Sequence, residues 1–267
     1  MGPRCGRSGR RSPPRPRIPG DAILSTHREG QIGEQGSERA PGPWAVEASG
    51  LGRRYGRRWA LADLSLSVRR GARLLVTGRN GSGKSTLLRV LATAARADRG
   101  TALVAGHDIL EARAEVRRRV ALLGHHSGLY DALSARENME VAAGFLGKDA
   151  APRVAELLRT VGLAERAGDP VSTFSAGMRK RLSLARTLLQ QAEVYLLDEP
   201  YGELDPPGFR LVDAALDDIK ARGATVLLAS HLLDRGRESC DEAIVLEDGR
   251  LVWSGPAAEL KDAGAAP

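Results

Sequence analysis

Residues 74–91 read LLVTGRNGSGKSTLLRVL. A strand-sized apolar run, 74–77, enters a glycine-rich loop, and Leu87, Leu88, Val90 and Leu91 leave it at helical spacing. Between the two, 78–86 satisfy G-x-x-x-x-G-K-[ST] in the strand–loop–helix setting that gives the pattern its meaning. The residue types explain the chemistry. Gly78, Gly81 and Gly83 let the backbone turn tightly and aim its N–H groups inward, while the following helix presents its positive end to an anion. Lys84 is long enough to reach terminal phosphates, and the Ser85 hydroxyl suits Mg²⁺. Arg79, Asn80, Ser82 and Thr86 complete the loop, so this stretch is predicted to cradle phosphate on an α/β scaffold.

Working outward, residues 194–200 read VYLLDEP, a buried-strand run that ends in two adjacent carboxylates and a proline. Acids at the C-terminal end of a parallel strand stand where α/β folds place their ligands. Asp198 is suited to hold Mg²⁺ through water. Glu199, one residue on, is suited to orient or deprotonate an attacking water. Taken singly, such acids are as often helix caps; behind a phosphate loop they become a catalytic pair.

The rest of the chain is read as short apolar runs alternating with helical segments, with strands at 44–48, 64–68, 74–77, 102–105, 120–123, 194–197, 225–229, 242–246 and 251–253. From 130 to 190 strand signals vanish. There Ser134 and Glu137 form a capping box, and Val154, Leu157, Leu158 and Val161 line one helix face, so an all-helical insert is expected. Residues 1–43 carry eight arginines against four acids with almost no apolar periodicity, and are expected to be a disordered tail, with 263–267 a short second tail. A misassigned start codon and a contact with lipid headgroups both remain open for that tail. It holds more than half of the net charge of +7, and the remainder lacks the clustered aromatics of a single-strand nucleic-acid binder, so no nucleic-acid partner is expected. No run of 18 apolar residues occurs, and two cysteines make no disulfide framework; a cytoplasmic location follows as the default.

The ordered set over 44–262 resembles the ATPase subunits of ABC transporters. Tyr55, 29 residues before Lys84, matches the aromatic on which that family stacks adenine. The segment FSAGMRKRLSLAR, 174–186, is similar to the family signature, with Ser175 and Gly177 matching while Phe174, Ala176 and Met178 depart from the commonest form. Leu204 and Asp205 resemble the D-loop, and His231 after Ser230 matches the switch histidine at the γ-phosphate. The family's glutamine loop should fall at 124–126, where His126 stands in place of the usual glutamine. The resemblance implies a P-loop core with a mixed sheet and a helical subdomain at about 130–190, ATP and Mg²⁺ as ligands, and Ser85 and Asp198 at the metal. It also implies that Ser175, Ala176, Gly177 and Met178 close over ATP held by a second copy or a like subunit. Integral membrane permeases would be the partners, with the chain peripheral on the cytoplasmic face of the membrane.

A narrower resemblance joins 122–139, LLGHHSGLYDALSARENM, and 197–208, LDEPYGELDPPG, to the ATPases of the cytochrome c biogenesis heme exporter. An exporter of that type is expected. The alternatives are an ABC-2-type exporter of a drug, lipid or polysaccharide and, from another class, a soluble iron–sulfur assembly ATPase. His126, if it does the work of the glutamine, should make hydrolysis fall on acidification through a group that a glutamine lacks.

Overall fold

A computed structural model describes residues 42–125, 127–147 and 151–261. The expected tails therefore fall largely outside the described residues, as does His126. The described chain begins slightly ahead of the expected domain start. Gly42 and Pro43 already offer their carbonyls to the Nε and backbone N–H of Arg70.

Among the described residues ten strands form two sheets. The first is antiparallel and has the order β2 (Arg58–Arg69), β1 (Trp44–Tyr55), β4 (Arg99–Val104), β5 (His107–Asp108). The second has the order β10 (Arg250–Pro256), β9 (Glu242–Glu247), β3 (Arg73–Thr77), β8 (Thr225–Ala229), β7 (Val194–Asp198), β6 (Val120–Leu123). Every pair from β9 to β6 is parallel, and β10 closes the edge antiparallel, so the sheet is mixed as expected.

The parallel strands are near-continuous apolar runs because both of their faces are buried. Alternate residues go to opposite sides. Leu74, Val76, Val194, Leu196, Leu227 and Ala229 pack toward the antiparallel sheet and helix α1 (Lys84–Leu91). Leu75, Tyr195, Leu197, Val226 and Leu228 pack toward the other side. That second core continues without interruption into the insert, whose helices α3 (Ala135–Phe145), α4 (Ala151–Thr160) and α5 (Ala176–Leu189) contribute Met139, Val154, Leu158 and Leu182. The remaining helices are α2 (Arg113–Arg119), α6 (Pro206–Ala221) and α7 (Leu233–Ser239). The four residues expected on one helix face, Val154, Leu157 and Leu158 in α4 and Val161 just past its end, are all buried in this core.

The largest departure from the sequence reading is the first hairpin, with strands of twelve residues each where five were expected, and β5 was not expected at all. Register shifts fall between Ala48 and Leu51, between Leu51 and Arg53, and between Arg53 and Arg54. Each shift breaks the two-residue alternation that announces a strand, so the outer half, with its four arginines, reads as a polar loop.

Candidate nucleotide site

Four adjacent parallel strands end on one edge of the sheet. There β3 runs into the phosphate loop, β7 ends at Asp198, β8 leads to Ser230 and His231, and β6 leads to His125. A cleft of about 590 Å³ opens on this edge, lined by Tyr55, Arg58, Asn80, Gly81, Lys84, Ser85, Thr86, His125, Glu199 and His231 among others.

The loop's shape depends on two glycines. Gly78 has φ 139°, and a β-carbon there would stand 2.1 Å from the Leu246 carbonyl oxygen. Gly83 has φ 111° and would drive a β-carbon to 2.4 Å from the Ala60 oxygen. Neither position admits a side chain without moving backbone. Gly83 is also the N-cap of α1, which has no side-chain cap and no acid in its first turn, so its leading amides are left for an anion. The Lys84 ammonium is buried and donates to the carbonyls of Gly78 at 2.8 Å and Arg79 at 3.3 Å. Gly78, Arg79 and Ser82 shape the loop from behind rather than line the cleft, and the Ser82 hydroxyl is buried with no partner among the described residues.

At the start of α1, Ser85 Oγ donates to Asp198 Oδ1 at 3.0 Å. Burial pushes the Asp198 carboxyl above the usual range, against the opposing pull of the Ser85 bond and nearby Lys180 and His125. A divalent cation would relieve that burial cost. Among the described residues no group of three or more His, Cys, Asp or Glu could hold a metal by itself. One hydroxyl and one carboxylate nevertheless suit Mg²⁺, which keeps several waters and takes phosphate oxygens for the rest of its shell.

Glu199 is held at φ 48° with its N–H on the Ala229 carbonyl, and its Oε2 meets His231 Nδ1 at 2.8 Å. The acid and the histidine were expected at the same phosphate; their direct contact was not expected. The pair couples the ends of β7 and β8, and Glu199 is one of several non-glycine residues with positive φ among the described residues.

At the glutamine-loop position the cleft is lined by His125. The sequence reading chose His126, which lies outside the described residues. The two histidines are adjacent in the sequence, and spacing cannot separate them. Two further residues went unnoticed. Arg58 lines the cleft from β2, and Lys180, in α5, donates weakly to the Asp198 carbonyl at 3.5 Å. Burial lowers the Lys180 ammonium, with Glu203, Asp198 and Glu199 pulling it back up.

The signature residues stand apart from this cleft. Ser175 is the N-cap of α5 and accepts from the Met178 N–H at 3.3 Å; Ala176 opens the helix, and Gly177 packs against the Glu203 carbonyl, where a β-carbon would stand at 3.0 Å. Leu204 leans on the core and Asp205 caps α6 by accepting from Gly208 N–H at 2.9 Å. Signature and D-loop thus adjoin one another, yet none of their residues lines the chain's own cleft.

The sequence profile of the ABC transporter family matches residues 61–202. The chain belongs to the ABC transporter family. It is an ATP-binding subunit of that family, whose ATP hydrolysis is coupled to transport. It is 40% identical over 220 residues to the daunorubicin resistance ATP-binding protein DrrA3 of Streptomyces coeruleorubidus, covering 81% of this chain and 70% of that protein. It is 34% identical over 231 residues to the Nod factor export ATP-binding protein I of Ralstonia nicotianae, covering 84% and 72%. Among solved structures, an ATP-binding subunit of an ABC transporter superposes with TM-score 0.74 at 28% identity, covering 79% of this chain and 90% of the other. A dimeric ATP-binding cassette with bound ADP and Pi superposes with TM-score 0.75 at 22% identity, covering 79% and 98%, which bears on the fold alone. Among the described residues no helix is long and apolar enough to cross a membrane.

Proposed function

We propose that this nucleotide-binding domain, 44–262 with its helical subdomain at about 130–190, hydrolyses ATP between two copies, on the cytoplasmic face of a membrane, beneath separate permease subunits. The observation that carries this reading is the separation of two half-sites. The cleft has a loop, a lysine, a metal-binding pair and an acid–histidine contact, whereas the signature helix carries donors and no walls. Adenine stacks on Tyr55, Lys84 and the α1 amides hold the phosphates, and Ser85 and Asp198 hold Mg²⁺. Mg²⁺, when bound, neutralises charge between the last two phosphates. Glu199 orients and deprotonates the water, His231 steadies Glu199 and reaches the γ-phosphate, and His125 takes the place of the glutamine. Ser175, Ala176, Gly177 and Met178 of the second copy close the sandwich, with Leu204 and Asp205 at the seam. Reopening after hydrolysis moves the permease.

For cargo, the drug-resistance and Nod-factor-export names of the relatives favour an ABC-2-type exporter of a drug, lipid or polysaccharide over heme export. The cargo itself touches the permease, so this chain bears on it only by kinship. Affinity purification of the tagged chain from its own membranes tests the reading. Co-purification of an integral membrane protein is expected, with ATPase activity that rises with the permease's ligand. A chain recovered only with iron–sulfur assembly proteins would sink it.

A further inference from the structure

The first hairpin carries a cation that the family reading leaves unassigned. Tyr55 and Arg58 are directly paired across β1 and β2, and residues so paired project from the same face. Both line the cleft. Behind Tyr55, outside the cleft lining, the Arg53 guanidinium sits 4.7 Å from the ring centroid and is itself held by Asp98 at 3.4 Å, so the ring is fixed with its other side toward the cleft. Arg58 differs in every respect. It is exposed, it makes no hydrogen bond or ion pair among the described residues, and its tip lies 3.7 Å from where a β-carbon on Gly81 would stand. The one carboxylate lining the cleft beside it, Glu199, is engaged with His231.

We propose that Arg58 is a phosphate-binding residue: the hairpin delivers the base platform and a guanidinium as one cross-strand pair, Tyr55 taking the adenine and Arg58 the phosphate chain at the Gly81 lip of the loop. The inference rests on the cleft being the ATP site. A guanidinium forms forked charge-assisted hydrogen bonds with phosphate oxygens, and one with no carboxylate partner gives up only water to make them. Arg58 therefore complements the buried Lys84, and it supplies affinity without reading the base.

Equilibrium binding of ATP, GTP and AMP to the full chain, by calorimetry at low and high salt, tests this. Arg58→Ala should weaken ATP and GTP alike by about tenfold, the scale of one charge-assisted bond in a partly exposed site. AMP should weaken less, and the salt dependence of ATP binding should flatten. Arg58→Lys should recover part of the loss, and the nucleotide-free melting temperature should not move in either variant. Loss confined to one base would show that Arg58 reads the base, and a change under twofold would show that it touches no ligand; either overturns the proposal. A wild-type chain that binds neither triphosphate would instead overturn the reading of the cleft, and this inference with it.

Discussion

Three helices of this chain begin in three different ways. Helix α3 is closed at its start: Ser134 accepts from the Glu137 N–H at 3.2 Å, and Glu137 accepts from the Ser134 N–H at 2.7 Å. Its first turn carries an acid, which complements the dipole. Helix α1 begins on a left-handed glycine with no side-chain cap and no acid. Helix α5 lies between these extremes, with Ser175 capping one amide and no acid in the first turn. A helix that only has to be stable satisfies its own amides, and one that must hold an anion leaves them open. Helix α1 opens onto a walled cleft, while α5 opens away from it, which is the arrangement that the proposed sandwich of two copies requires, with α1 as the site and α5 as the lid.

The largest effect should come from the walled site. Lys84→Ala removes the buried cation and should lower ATP hydrolysis to background in a phosphate-release assay, with ATP affinity lost as well. Retained turnover would mean that the loop is not the phosphate site.

Glu199→Gln should slow hydrolysis by about 10²–10³-fold while leaving ATP binding intact, because it removes the base without removing the cradle. With ATP and Mg²⁺ the variant should elute as a dimer on size-exclusion chromatography. A variant that stays monomeric in every nucleotide would break the distinction between site and lid.

Ser175→Ala sharpens that distinction at smaller amplitude. It should cut hydrolysis by about tenfold, one donor's worth at a half-site, yet leave the affinity of dilute, monomeric chain for ATP unchanged. Equal loss of monomer affinity would place the signature in the chain's own cleft.

The smallest effect belongs to the closed helix. Ser134→Ala should cost about 1 kcal/mol of stability in denaturant unfolding and leave ATP affinity untouched. The bond from the Ser134 N–H holds the Glu137 carboxyl below its ordinary range. An acid depressed in the fold contributes stability above its unfolded value and loses it as pH falls through the folded one. Glu137→Gln should accordingly flatten the acid limb of the stability–pH curve below about pH 4.5, and an unchanged limb would show that the box carries no linkage.

Much of this was legible in the chain because it is local. A phosphate loop is one strand, one turn and one helix, and its glycine spacing and the reach of Lys84 belong to nine consecutive residues; the exclusion of side chains at Gly78 and Gly83 is instead set by the distant carbonyls of Leu246 and Ala60. Apolar runs long enough to be buried on both faces announced β3, β7 and β8, and the capping box announced α3. The position of Asp198 near Ser85, 113 residues away, was read from acids at the end of a parallel strand behind a phosphate loop. What only the tertiary structure decided depends on direction rather than order. Bulges carried the first hairpin past the point where alternation could be followed, and only that extension pairs Arg58 with Tyr55 and brings it to the loop. That His125 lines the cleft depends on where the chain turns after β6, which residue spacing does not give. The contact of Glu199 with His231 needs β7 and β8 to lie side by side in parallel register, an arrangement set by the packing of both cores and by no feature of either strand alone.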